Sequence, residues 1–302
     1  MMSRVLLPLV LAGAAWPQDL RIPAGLDAYM PVPPGNALTP EKIRHGKELF
    51  RDKRLSADGT VSCATCHDAE YSFTTKSATA TGIGGQKGTR RPPRLINRAW
   101  GRSFFWDGRA ASLEEQVLQP IANPAEMASK PAEAARRVGI PVEVMRDALA
   151  SYVRSILSGD SRYDAWLAGD RSALNAEEAA GLKLFTGKAG CSGCHVGPNL
   201  TDERFHNTGI GNGDDGRFAV SHRDADRGAF RTPGLREVAG APPFMHDGSL
   251  ATLEAVIEHY DQGGGAKENL DREIRKLGLT SSEKSALAAF LRTLVGKVRE
   301  GA

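Results

Sequence analysis

The pattern Cys-x-x-Cys-His occurs twice, at Cys63-Ala64-Thr65-Cys66-His67 and at Cys191-Ser192-Gly193-Cys194-His195, and these four are the only cysteines in the 302-residue chain. Two thiols at this spacing add across the two vinyl groups of one porphyrin, and the adjacent imidazole then lies under the iron. The pattern is the attachment signature of a c-type haem. The rival readings are a redox dithiol and a Cys/His zinc site, and neither calls for a histidine directly after the second cysteine. Two covalently bound haems are therefore expected, on Cys63, Cys66 and His67 and on Cys191, Cys194 and His195.

The surrounding sequence repeats. Gly46-Lys47-Glu48-Leu49-Phe50 precedes the first motif and Gly181-Leu182-Lys183-Leu184-Phe185 the second. Downstream, Pro93 and Pro233, Leu95 and Leu235, Asp107 and Asp247, Gly108 and Gly248, Leu113 and Leu253, and Glu114 and Glu254 match at one constant offset. Shared identity at a fixed offset implies two structurally similar units. The expected domains are 38–165 and 170–300, joined by a polar, glycine-containing linker between Ser158 and Leu174.

Cap signals and apolar spacing point to helices. Thr39-Pro40-Glu41 opens a helix running to Phe50, and Asn175-Ala176-Glu177-Glu178 opens its counterpart. Ser112 and Thr252 are placed to cap helices beginning at Leu113 and Leu253. Val142–Leu157 and Ser282–Val298 carry apolar residues at helical spacing, and no alternating strand pattern is evident. The expected fold is mainly α, with each of two cytochrome c-like helical domains wrapped round one haem.

Residues 1–17 read as a signal peptide: Arg4, an apolar stretch from Val5 to Ala15, and the small residues Ala12-Gly13-Ala14-Ala15. An uncleaved tether is the competing reading. No other run approaches the roughly 18 apolar residues of a spanning helix. The expectation is an exported periplasmic protein without stable membrane insertion. A formal net charge of only +3 gives no reason to invoke nucleic acid.

The sixth position of each iron decides between electron transfer and ligand activation. Outside the signal peptide and the two proximal histidines, Met127, Met245, His246, His259 and Tyr260 are the candidates, each with a structural reading as core filler or surface group.

Several motifs together make the chain resemble the bacterial dihaem cytochrome c peroxidase superfamily, which includes MauG. They are the two haem motifs, Phe105-Trp106-Asp107-Gly108-Arg109-Ala110, Leu113-Glu114-Glu115-Gln116, Pro124-Ala125-Glu126-Met127 and Pro243-Phe244-Met245-His246-Asp247-Gly248. The resemblance implies a peroxide-binding N-terminal haem and an electron-transfer C-terminal haem. It implies Glu126 as distal acid/base, with Glu114 and Glu115 as alternatives, Gln116 as an amide orienting Glu126 or a water, and Trp106 as a relay between the haems. Asp107 and Arg109 are expected to build the local turn and pair charges. Typical peroxidases carry a blocking histidine in the loop after the first motif. Ile83 stands there, and no histidine lies between His67 and His195. The first haem is thus expected to be open.

At the axial position over the second haem, MauG-like members place a tyrosine where other members place a methionine. This chain has Tyr260 there, with Met245 as the alternative. The resemblance also implies a calcium ion between the domains, held by an asparagine side chain and two carbonyls. Ala241 and Pro243 stand at the carbonyl positions, but the asparagine position carries Arg91, which leaves calcium in question.

The implied partners are hydrogen peroxide and either a small redox protein (a cytochrome c or a cupredoxin) or a protein substrate, with a homodimer as one option. The alternative functions are MauG-like oxidation of side chains on a partner protein and non-enzymatic electron carriage by a dihaem protein.

Overall fold

The computed structural model describes residues 20–211, 213–265 and 268–301. The expected signal peptide lies outside the described residues. Helices dominate, with little sheet. Among the described residues, no helix is long and apolar enough to cross a membrane.

The first helix, Pro40–Arg51, starts as its sequence dictates. Thr39 accepts a hydrogen bond from the Lys42 amide, proline occupies the first turn, and Glu41 and Arg51 complement the helix dipole. Ile43, Gly46, Leu49 and Phe50 fall on one buried face, which packs on helix Val142–Arg154. In the second half, Ala176–Thr186 begins with a reciprocal Asn175–Glu178 cap and packs on helix Ser281–Arg292.

Both pairs cross at a glycine. A Cβ on Gly46 would lie 2.0 Å from the Ala148 carbonyl oxygen, and one on Gly181 would lie 1.9 Å from that of Ala286. Only a residue without a side chain permits this approach. Each crossing brings an aromatic pair together at a steep angle: Phe50 with Tyr152 at 5.1 Å and Phe185 with Phe290 at 5.2 Å.

The repeat extends to backbone geometry. Asn97 and Glu237 both take positive φ (57° and 60°), as do Phe105 and Met245 (67° and 71°) and Gly108 and Gly248 (69° and 68°). Phe104 bridges to Ala110 as Phe244 does to Leu250. Two apolar clusters result, one drawn from residues 20–157 and one from 185–294.

The expected absence of strands does not hold. Helix Val142–Arg154 stops at Ser155, and Ile156–Gly159 pairs antiparallel with Lys297–Glu300. Helix Ser281–Arg292 likewise stops short of Val298. Strand Ile156–Gly159 is buried throughout, so it shows no alternation, and a short apolar run of this kind extends the periodicity of the helix before it. Phe205–His206 and Phe230–Arg231 form a second two-stranded ladder. The last strand returns to the first half, where Glu300 meets Lys47, Arg51 and Tyr152.

Buried ion pairs join the segments between the clusters. Arg236 forks onto both oxygens of Asp164 at 2.8 Å and also reaches the carbonyls of Gly25 and Pro198. Glu203 lies between Arg98 at 2.7 Å and Arg231 at 3.1 Å. Burial alone would raise the Asp164 carboxyl, but Arg236 and Ser161 outweigh it and hold it below the ordinary range. This contribution to stability is present above the unfolded carboxyl pKa of about 3.9 and is lost as pH falls through the lower folded value. Arg236→Met, which strands the Asp164 charge, is expected to cost about 3–5 kcal/mol in denaturant unfolding at neutral pH. A cost below about 1 kcal/mol, the range of exposed pairs, would contradict this.

Candidate functional site

Each Cys-x-x-Cys-His motif closes a tight turn that brings its histidine back over its cysteines. The His67 amide donates to the Cys63 carbonyl at 2.9 Å, and the His195 amide donates to that of Cys191 at 3.0 Å. The Ser62 amide bonds to Thr65 Oγ1 at 2.9 Å and fixes the start of the first turn. The rings are pinned alike, with His67 Nδ1 2.9 Å from the Phe73 carbonyl and His195 Nδ1 2.9 Å from that of Leu200. A carbonyl can only accept, so Nδ1 carries the proton and Nε2 keeps its lone pair. Desolvation pushes His67 down to about 4, against the opposing Phe73 hydrogen bond, and lowers His195 in the same way. Both imidazoles are therefore neutral near pH 7. Phe50 and Phe185 back these rings at 6.4 and 6.5 Å.

Burial pushes the Cys63 thiol up to about 12 and the Cys66 and Cys191 thiols to about 11. A reactive redox thiol is favoured by a lowered pKa, and burial shifts these three thiols the other way. Two sulfurs and one neutral imidazole facing a common apolar cavity suit a thioether-linked haem with an axial nitrogen.

The first cavity is lined by Cys63, Cys66, His67, Gln116, Pro120, Glu126 and Met127 among aliphatic side chains. Glu126 is half-buried, and Asn123 Nδ2 donates to its Oε1 at 2.7 Å. Desolvation raises its carboxyl above the ordinary range, with Asn123 and Arg109 pulling the other way. Gln116 lines the same cavity, but the amide bonded to Glu126 is that of Asn123. The alternatives to Glu126 are engaged elsewhere: Glu114 binds Asn36 and Arg154, and Glu115 binds the Ala111 amide. The loop around Ile83 is fastened to the Glu126 segment. The Ile83 amide donates to the Glu126 carbonyl at 2.9 Å, and a Cβ on Gly82 would lie 2.1 Å from the Ala125 oxygen. Asp107 pairs with Arg109 at 2.9 Å, as expected of the turn, and also with Arg90 at 2.6 Å.

The second cavity is lined by Cys191, Cys194, His195, Met245, His246 and Tyr260, with Trp106 from the first half in its wall. Tyr260 projects from helix Leu253–Asp261, which is capped by Thr252. Burial pushes its phenol well above the ordinary range. Pro120 lines the first cavity at the matching repeat position. His259 instead turns to the Thr208 carbonyl at 2.8 Å, and His246 stacks on Phe230 at 3.5 Å. Trp106 Nε1 donates to the Arg91 carbonyl at 2.7 Å, and its ring meets His246 edge-on at 6.4 Å.

Three further residues belong to these sites and escaped sequence reasoning. Asn123 is one. His206 lies in the second cavity wall between Asp202 at 3.0 Å and Asp271 at 2.5 Å, a contact that Asp271 makes across 65 positions. Cys194, Asp202 and His206 bring donor atoms within 4.8 Å of one another, but the Cys194 sulfur is committed to haem attachment. Arg94 is the third, a cavity cation whose Nη2 donates to the Gly234 carbonyl.

The fold and the two cysteine–histidine cavities define a c-type dihaem protein. The profile of the family described as Di-haem cytochrome c peroxidase matches residues 40–141. The Methylamine utilization protein MauG of Methylorubrum extorquens is 41% identical over 286 residues, covering 88% of this chain and 81% of that one. The Cytochrome c551 peroxidase of Nitrosomonas europaea is 35% identical over 295 residues, covering 89% and 85%. A crystal structure of a MauG-like protein associated with microbial copper homeostasis superposes with a TM-score of 0.83 at 35% identity, covering 94% and 96%. The chain belongs to the dihaem cytochrome c peroxidase and MauG superfamily. It is a haem peroxidase-type oxidoreductase with two covalently bound c-type haems.

Calcium does not fit. The Arg91 guanidinium, which already put the ion in question, reaches the carbonyl cluster that the resemblance implies for it, donating to Ala241 and to Pro242 rather than Pro243.

Replacing Cys63 and Cys66 together with alanine is expected to leave one covalently attached haem, as is replacing Cys191 and Cys194. Intact-protein mass spectrometry with the pyridine haemochrome assay reads this directly. Two attached haems in either variant would refute the assignment.

Proposed function

We propose that this is a periplasmic dihaem peroxidase of two cytochrome c-like domains, 38–165 and 170–300, each wrapped round its haem. Hydrogen peroxide is reduced at the N-terminal site, and the C-terminal haem supplies or stores electrons. The observation that carries the reading is Glu126, a carboxyl with a raised pKa in the wall of the His67 cavity. When bound, the haems supply an iron that takes up peroxide and a second centre that exchanges electrons with it.

The chain's own groups do the rest. Phe73 holds the His67 ring with Nε2 free for the iron. Asn123 fixes Glu126 Oε1, leaving Oε2 to take a proton from the inner peroxide oxygen and return it to the outer one, so that water departs. The aliphatic wall of Val117, Leu149 and Val153 keeps bulk water from competing for that proton. Ile83 supplies no imidazole to compete for the iron. Trp106, between Arg91 and His246, is the relay. His195 and Tyr260, with Met245 as the alternative to Tyr260, would hold the second haem, and Arg94 would supply a cation in the cavity wall. A phenolate favours the ferric and higher states, whereas a thioether would raise the potential.

Ile83 and Tyr260 also favour a second reading on the same machinery. In it the oxidising equivalents pass to a side chain of a partner protein, as in MauG-like members, in place of electrons arriving from a cytochrome c or cupredoxin. Turnover with a reduced cytochrome c separates the two readings, since it is robust in the first and poor in the second.

Glu126→Gln is expected to slow the peroxide-induced Soret change in stopped flow by roughly 10²–10⁴-fold. In the wild type, the pH limb due to Glu126 lies above the ordinary carboxylate range, because the folded site retains the proton to higher pH, and this limb disappears in the variant. An equally fast variant removes Glu126 from the mechanism.

A further inference from the structure

We propose that the Arg91 guanidinium is the resident cation of the inter-half site and takes the place of the calcium ion that the family resemblance implies. Arg91 is 5% exposed. Its Nη1 donates to the Ser77 carbonyl at 2.6 Å, and its Nη2 lies 3.3 Å from both the Ala241 and the Pro242 carbonyls. Among the described residues, no carboxylate forms an ion pair with it. The pattern is a buried positive charge solvated by converging neutral carbonyl dipoles. Hard cations such as calcium are bound by the same kind of oxygen donor.

The two cations exclude each other. Calcium needs six to eight oxygens at about 2.3–2.6 Å. A guanidinium nitrogen already lies 3.3 Å from the Ala241 carbonyl, one of the two implied for the ion, and from the adjacent Pro242 carbonyl, and its charge repels a divalent cation. An arginine cannot shed that charge as a lysine can. The interaction is therefore tethered to the chain and cannot be removed by a chelator.

The same residue positions the relay, a consequence that rests on the reading of Trp106 given above. The Arg91 carbonyl accepts from Trp106 Nε1 at 2.7 Å, and its amide donates to the His246 carbonyl at 2.7 Å. Arg91 thus ties together the loop after the first haem motif, the Ala241–Pro242 turn, the indole and the segment that carries Met245. It is a positioning residue: it touches no reacting atom, and it fixes the indole relative to the second cavity.

The test uses the holoprotein and its Arg91→Asn and Arg91→Lys variants. After dialysis against calcium and then metal-free buffer, elemental analysis of the wild type should find no stoichiometric calcium. Its thermal midpoint should be the same with and without EGTA. About one calcium per wild-type chain, or a midpoint lowered by EGTA, overturns the proposal, and neither measurement depends on a variant folding or on Trp106.

In EGTA, Arg91→Asn should retain the spectral response of the first haem to peroxide. The response of the second should slow roughly tenfold or more through misplacement of the indole, with partial recovery in Arg91→Lys. An unchanged second-haem response in Arg91→Asn overturns the positioning role and leaves the peroxide chemistry at Glu126 standing. Loss of the first response in Glu126→Gln alone tests that chemistry separately.

Discussion

A hydrogen bond from each haem-motif histidine to a backbone carbonyl is the contact on which the rest depends. It fixes the tautomer and leaves the Nε2 lone pair free for an iron, while burial keeps the ring neutral against it. Phe73 and Leu200 offer their carbonyls at the same 2.9 Å, and Phe50 and Phe185 back the rings at nearly the same distance. Those phenylalanines are placed by the glycine helix crossings. The chain from Gly46 and Gly181, through the aromatic pairs, to the imidazoles explains why the sequence before each cysteine motif repeats.

The halves then diverge where function requires it. At one repeat position Pro120 lines the first cavity and Tyr260 the second. A proline offers no ligand atom, whereas a phenol offers an oxygen. At another, Phe105 stacks beneath the Arg109 guanidinium at 3.5 Å, whereas Met245 borders the second cavity. Phe105 and Met245 share nearly the same φ, so at that position the difference in chemistry resides in the side chain. Beside the strand ladder, charged contacts join the halves: Asp164 with Arg236, Arg98 with Glu203, and Arg90 with Asp214. Arg91 belongs with this group, with carbonyl dipoles in place of a carboxylate.

Much of this was legible in the sequence because the signals are local. The cysteine motifs, the caps at Thr39, Asn175, Ser112 and Thr252, and the fixed offset between halves need only short-range spacing or self-comparison. Ile156–Gly159 was not legible, because its apolar run continues the phase of a helix and its partner strand lies at the other end of the chain. Asn123 beside Glu126 is an ordinary turn residue until the loop closes, and His206 gains its second carboxylate from far along the sequence. Arg91 was seen as a departure from a calcium pattern. Only the folded positions of Ser77, Ala241 and Pro242 show that the departing residue fills the site.

The central claim is that two similar haem-binding units are unequal, the first open and the second closed. Electron paramagnetic resonance of the resting ferric protein tests this most directly, because it reports both axial environments at once. The account predicts one high-spin signal from the His67 haem and one low-spin signal that Tyr260→Phe alters while leaving the first unchanged. Two low-spin signals, with neither altered by Tyr260→Phe, would contradict it.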